Sequence, residues 1–226
     1  MTTLIKKAQK GNKDAFIALY EKNKETVLYL CETLLCDFSA ADSACIHIFK
    51  NMWQLVGDGK IESEREFRDA VINKAVNYCK IRIAKGDSKA FKIPQNKNFT
   101  VSAYESYGDG NYSSLLAALP PIHRFIYVLD AYLGWSEDEI AEVLFTKADS
   151  VRLALECRQS NFDRFAASVK QATGKEVSLS VDGFKIYLDE AEDECEPSNN
   201  IDSAVISSID SIIEPILLEK RRKTKT

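Results

Sequence analysis

The chain of 226 residues is long enough for two small domains, and its 45% hydrophobic and 28% charged content excludes a disordered or fibrous protein. A formal net charge of −4 argues against a general nucleic-acid coat, so any contact with DNA must be local. The charge is uneven: residues 1–90 carry 15 Lys and Arg against 12 acids, positions 189–196 hold six acids, and the last seven positions hold five bases.

Met1 to Gln9 has no apolar signal core, and no stretch approaches the roughly eighteen apolar residues of a spanning helix, so the expected place is the cytoplasm with no membrane span. The cysteines (Cys31, Cys36, Cys45, Cys79, Cys157 and Cys195) form no Cys-x-x-Cys pair and are expected to be reduced core residues, with no metal and no cofactor.

From Leu4 to Leu35, apolar residues recur at helical spacing with one interruption at Gly11-Asn12, which predicts a short helix and then a longer one. A third helix is expected over about Ser39 to Val56, capped by Ser39 and carrying Ala41, Ala44, Cys45, Ile48, Phe49, Met52 and Trp53 on its apolar face. A polar loop follows from Gly57 to Glu66. The next helix should bury Phe67, Ala70, Val71, Ala75, Tyr78, Cys79 and Ile83, leaving Arg68, Lys74, Lys80, Arg82 and Lys85 mainly on its other faces. Bases with a few aromatics suit the capture of a single strand, because phosphate attraction and base stacking add. Between Gly86 and Ser114 the composition turns to Lys, Asn, Ser, Gly and Tyr and reads as a linker.

The most specific stretch lies between Leu133 and Phe165. Ser136 and Glu139 have capping-box spacing, so a helix should start there and turn Ile140, Ala141, Val143 and Leu144 inward. Thr146 and Asp149 repeat the cap spacing, and the following helix should bury Val151, Ala154, Leu155 and Phe162. Two helices about one short turn apart make a helix-turn-helix, whose second helix is the right size for a DNA major groove. Beyond it, the alternating Val177, Leu179 and Val181, then Asp182-Gly183, then Phe184, Ile186 and Leu188 predict a β-hairpin. Asn199 or Asn200 then caps an expected helix through Ile201, Ala204, Val205, Ser208, Ile209, Ile212 and Ile213, before a basic tail of Lys220 to Lys223 and Lys225.

Leu119-Pro120, Arg124, Ile126, Val128, Leu129 and Gly134, followed by the run Ser136 to Leu144, resemble the promoter-recognition domain of a bacterial RNA polymerase sigma factor of the extracytoplasmic-function type. Upstream, Gly11, Asp14, Ala15, Phe16, Leu19 and Tyr20 resemble the opening of the same family's first domain, and Ala75 to Lys80 its DNA-facing helix. The resemblance implies a mainly α protein of two small helical domains. These are an N-terminal sigma helical domain over 1–86 and a helix-turn-helix domain over 115–170, joined by a flexible linker over 87–114. An extension over 171–226, with a β-hairpin and a helix, lies outside the resemblance.

Core RNA polymerase and promoter DNA are the implied partners, and an anti-sigma factor can be accommodated. Asp42, Phe49 and Trp53 would engage the polymerase, and Asn77, Lys80 and Arg82 the melted strand. Arg152 and Arg158 would hold the upstream promoter element, Arg152 through phosphate more than through a base, since Asp149 stands beside it. Ser43, Ile46 and His47 stand where the family has more acid and amide, and Ala154 and Cys157 where it usually has arginine.

An enzyme is not expected. His47 and His123 lie far apart without metal-ligand spacing to a partner, and no phosphate loop, dinucleotide fingerprint or nucleophile elbow occurs. The alternative is a helix-turn-helix regulator or adaptor acting without polymerase.

Overall fold

The computed structural model describes residues 3–87, 90–91, 110–193, 195 and 201–209. These are mainly α-helical, with no strand among the described residues, and no helix among them is long and apolar enough to cross a membrane. The chain divides into two compact units. The first takes residues 1–32, 37–78 and 195–226, and the second takes 33–36 and 79–194.

In the first unit, α1 (Leu4–Gln9) ends at Gly11, whose φ of +83° suits a residue without Cβ, and Asn12 then caps α2 (Lys13–Glu21) by accepting from the Ala15 amide at 2.8 Å. The single long helix expected up to Leu35 is instead two. Asn23 turns its side-chain amide onto the Leu19 carbonyl at 2.7 Å and its backbone N–H onto Tyr20, which ends α2 before α3 (Lys24–Leu35). Helix α4 (Phe38–Gly57) is capped by Asp37 rather than Ser39: the Asp37 carboxylate accepts from the Ala40 amide at 3.0 Å.

Helix α5 (Glu64–Gly86) gives its residues up to Tyr78 to this unit and the rest to the second. The core is aromatic at its centre, with Phe16 edge-on to Trp53 at 4.8 Å and to Phe67 at 5.9 Å, and Tyr20 edge-on to Phe49 at 4.7 Å. Such ring pairs fix α4 and α5 against α2.

The second unit is built round α7 (Pro121–Ala131), in which Ile122 to Leu129 are all buried, His123 and Arg124 included. A helix apolar on nearly every side belongs in a centre, and α8 (Glu137–Leu144), α9 (Ala148–Glu156) and α11 (Val181–Asp193) pack on it. Helix α6 (Tyr112–Ala118), capped by Asn111, begins inside the stretch read as linker, and Phe91 from the same stretch stacks edge-on against Phe125 at 5.0 Å. Residues 88–89 and 92–109 of that stretch lie outside the described residues.

In place of the expected hairpin over 177–188, residues 177–180 take no regular structure and 181–188 lie in α11. Ser180 accepts from the Gly183 amide through its hydroxyl at 3.0 Å and from the Phe184 amide through its carbonyl at 2.9 Å, so Asp182-Gly183 becomes the first turn of α11 instead of a strand connection. The alternation misled because Phe184 and Leu188 are also four apart. Both are buried, with Phe184 against Phe162 at 5.4 Å, while Ile186, which a hairpin would place on the same face as them, is 56% exposed. The helix expected after the acidic stretch is present over 201–209; its proposed caps Asn199 and Asn200, Ile212 and Ile213 beyond it, and the basic tail lie outside the described residues.

Candidate nucleic-acid interface

The helix, turn and helix of 137–156 form as their local signals predict. Ser136 accepts from the Glu139 amide, and the Glu139 carboxylate accepts from the Ser136 amide at 2.8 Å, which closes the capping box and holds the Glu139 carboxyl below its ordinary range. Helix α8 stops at Phe145, a non-glycine residue at φ +55° whose ring is 87% exposed. The left-handed geometry costs a residue with Cβ roughly 1–2 kcal/mol, so something must hold it.

The backbone closes the turn, the Phe145 amide donating to the Glu142 carbonyl at 3.2 Å and the Thr146 amide to the Ala141 carbonyl at 3.0 Å, and Lys80 adds a side-chain contact. Its ammonium lies 4.1 Å from the centre of the Phe145 ring and donates to the Val143 carbonyl at 2.5 Å, in the last turn of α8 where the helix dipole is negative. The side chain is 8% exposed, and burial lowers its pKa from the usual lysine range. Lys80 was expected to face a DNA strand; here its cation is taken up by the turn of the motif. Periodicity alone placed it on a polar face, because nothing local records a bond to a residue 63 positions away.

Helix α9 opens after Lys147 without a side-chain cap, so the Thr146 and Asp149 spacing does not form the cap it suggests. Val151 and Ala154 are buried as expected, and the helix breaks at Cys157 before α10 (Arg158–Thr173) takes Phe162 into the core. The exposed face of α9 presents Asp149, Arg152, Leu153 and Glu156. Arg152 donates to Glu137 at 3.2 Å from Nε and to Asp149 from its other end, an arrangement that raises its pKa and pairs its guanidinium with two carboxylates. From Ser136 to Cys157 there are six acids (Glu137, Asp138, Glu139, Glu142, Asp149 and Glu156) against Lys147 and Arg152. This surface is negative, and phosphate would meet it at a disadvantage.

Arg158 does not reach that surface. It is held at 2.6 Å by Asp130 and lies over the Tyr127 ring at 5.8 Å, with its side chain 14% exposed. Tyr127 in turn receives a hydrogen bond from Asn161 at 2.7 Å and donates to the Ala154 carbonyl at 3.2 Å; burial is the main cause that pushes its phenol up to about 12. Arg158, expected at the upstream promoter element, is here part of a polar clamp between α7 and α10. Sequence could have flagged Asp130 as an acid in an apolar helix, but not the residue that answers it.

Among the residues expected to meet polymerase or the melted strand, Phe49 is fully buried and Trp53 is 5% exposed, so their rings position α4 and offer no surface to a partner. Asp42 is half-buried on α4, and Asn77 is half-buried with its side-chain amide donating to the Asn73 carbonyl at 2.9 Å. Arg82 is exposed. Compared with protein-family models, with curated proteins and with solved structures, the chain gives no match in any of the three.

Proposed function

We propose that the chain is a divergent sigma factor of the extracytoplasmic-function type, which binds core RNA polymerase through its N-terminal unit and directs promoter recognition and melting. The observation that carries the reading is the build of the second unit. The Leu119-Pro120 entry to α7 and the Ser136 capping box of α8 carry the resemblance, and α9 follows α8 after one short turn at Phe145, which supports the reading. An N-terminal helical unit with the half-buried acid Asp42 on α4 precedes it, in the order the resemblance asks for. Asn77 and Arg82 on α5 remain the candidates for the melted strand, and the exposed face of α9 for the upstream element.

A second reading, an adaptor or regulator that works without polymerase, is favoured by the pairing of Arg152 with Glu137 and Asp149 and by the acid surplus around it. A negative, partly apolar helix face suits a basic protein partner better than phosphate. Pull-down of core RNA polymerase by the full chain at micromolar concentration separates the two. Recovery of the polymerase supports the sigma reading; its absence overturns that reading and leaves the adaptor.

A further inference from the structure

Arg124 is the one guanidinium of the central helix α7, and it is 7% exposed. A buried cation is costly unless an anion or a full set of acceptors answers it. Arg158, in the same unit, is answered by Asp130, whereas Arg124 meets no carboxylate among the described residues. Its Nε is buried without an acceptor, and its Nη1 donates to the sulfur of Cys36 in direct contact. Both residues belong to the second unit, although 88 positions separate them.

Cys36 is the exposed one of the six cysteines: Cys31, Cys45 and Cys79 are buried, and Cys157 and Cys195 are intermediate. It follows α3 directly, at a φ of +52°. Its thiol donates to the Thr33 carbonyl at 3.5 Å, which leaves the sulfur lone pairs to the guanidinium. The neighbouring Asp37 carboxylate is engaged by the Ala40 amide and makes no ion pair with Arg124 among the described residues. An exposed sulfur beside a cation is the setting in which cysteines react, while structural cysteines are buried and inert.

We propose that Cys36 is an oxidation site for a hydroperoxide, and that Arg124 is the residue that activates it. The sulfur attacks the outer oxygen of the peroxide, the S–O bond forms as the O–O bond breaks, and sulfur gives up two electrons. The departing oxygen takes that pair together with the thiol proton and leaves as water or an alcohol, so a sulfenic acid remains. Negative charge grows on the departing oxygen during the step, and a guanidinium fixed beside the sulfur is placed to meet it. Exposure of Cys36 admits the peroxide, while burial of Arg124 keeps its charge from being screened by water. This chemistry needs neither polymerase nor DNA.

The test uses the full chain and hydrogen peroxide. Dimedone, which traps sulfenic acid as a stable adduct, is present throughout, and mass spectrometry of the digested chain reads the labelling rate of each cysteine. Cys36 in the folded chain is expected to label on the order of tenfold faster than Cys36 in urea, where the guanidinium is no longer beside it. Exposure alone cannot give that result, since a sulfur in the unfolded chain is at least as accessible. Arg124→Gln should lose the enhancement while amide exchange over 33–38 stays as in wild type. Labelling of folded Cys36 no faster than in urea overturns the proposal, and this comparison stands even if the variant does not fold. Undiminished labelling in a folded Arg124→Gln chain also overturns it, because the sulfur then reacts without the guanidinium.

Discussion

His123 makes the second unit acid-sensitive in a way that can be worked out from its surroundings. It lies on the central helix α7, 7% exposed, and burial lowers its pKa from 6.5 to about 4. A base whose folded pKa is depressed binds its proton more tightly in the unfolded chain. The stability it allows is complete above the unfolded value of 6.5 and is lost as pH falls toward the folded value. The gap between the two values corresponds to about 3 kcal/mol in full, most of which is lost between about pH 7 and about pH 4.5.

The perturbation is His123→Gln, which keeps a polar side chain of similar size and removes the titration. Urea unfolding is followed through Trp135 fluorescence in a Trp53→Phe background, so that only the second unit is seen. The wild-type side chain should lose about 2 kcal/mol more than the variant on acidification, since carboxylates titrate alike in both. Parallel losses in the two chains would refute the claim that burial holds the imidazole neutral.

Lys80→Ala should lower the stability of the second unit by about 2 kcal/mol, from the lost charged hydrogen bond to Val143 and the lost support of Phe145, read from urea midpoints. Single-strand DNA affinity should not change with it, and a selective loss of that affinity at unaltered stability would restore Lys80 as a DNA-binding residue. Arg152→Ala should alter promoter binding little, because the guanidinium is already paired. Glu137→Gln with Asp149→Asn should free it, strengthen binding to duplex promoter DNA and steepen the salt dependence by about one counterion for each phosphate that the guanidinium then neutralises. An unchanged affinity of the double variant in fluorescence anisotropy titrations would remove Arg152 from DNA recognition.

The sequence by itself determined what depends on neighbours three or four positions apart. The break at Gly11-Asn12, the capping box of Ser136 with Glu139, and the inward faces of α4, α8 and α9 are all local, because a helix repeats every 3.6 residues and its cap is made within one turn. Tertiary structure decided wherever two local options were close. Phe184 and Leu188 fit a strand or a helix by spacing, and burial against Phe162 together with the Ser180 cap selected the helix. It also decided which charges are available to a partner: Lys80, Arg158 and Arg152 resemble free cations in the sequence, but Val143, Asp130 and Glu137 take them up. Finally it brought Asp202 to Tyr20 and Cys195 to Glu32. Bonds across 182 and 163 positions leave no periodic trace, since the free energy that selects them comes from apolar area and charge pairing that exist only once both surfaces have formed.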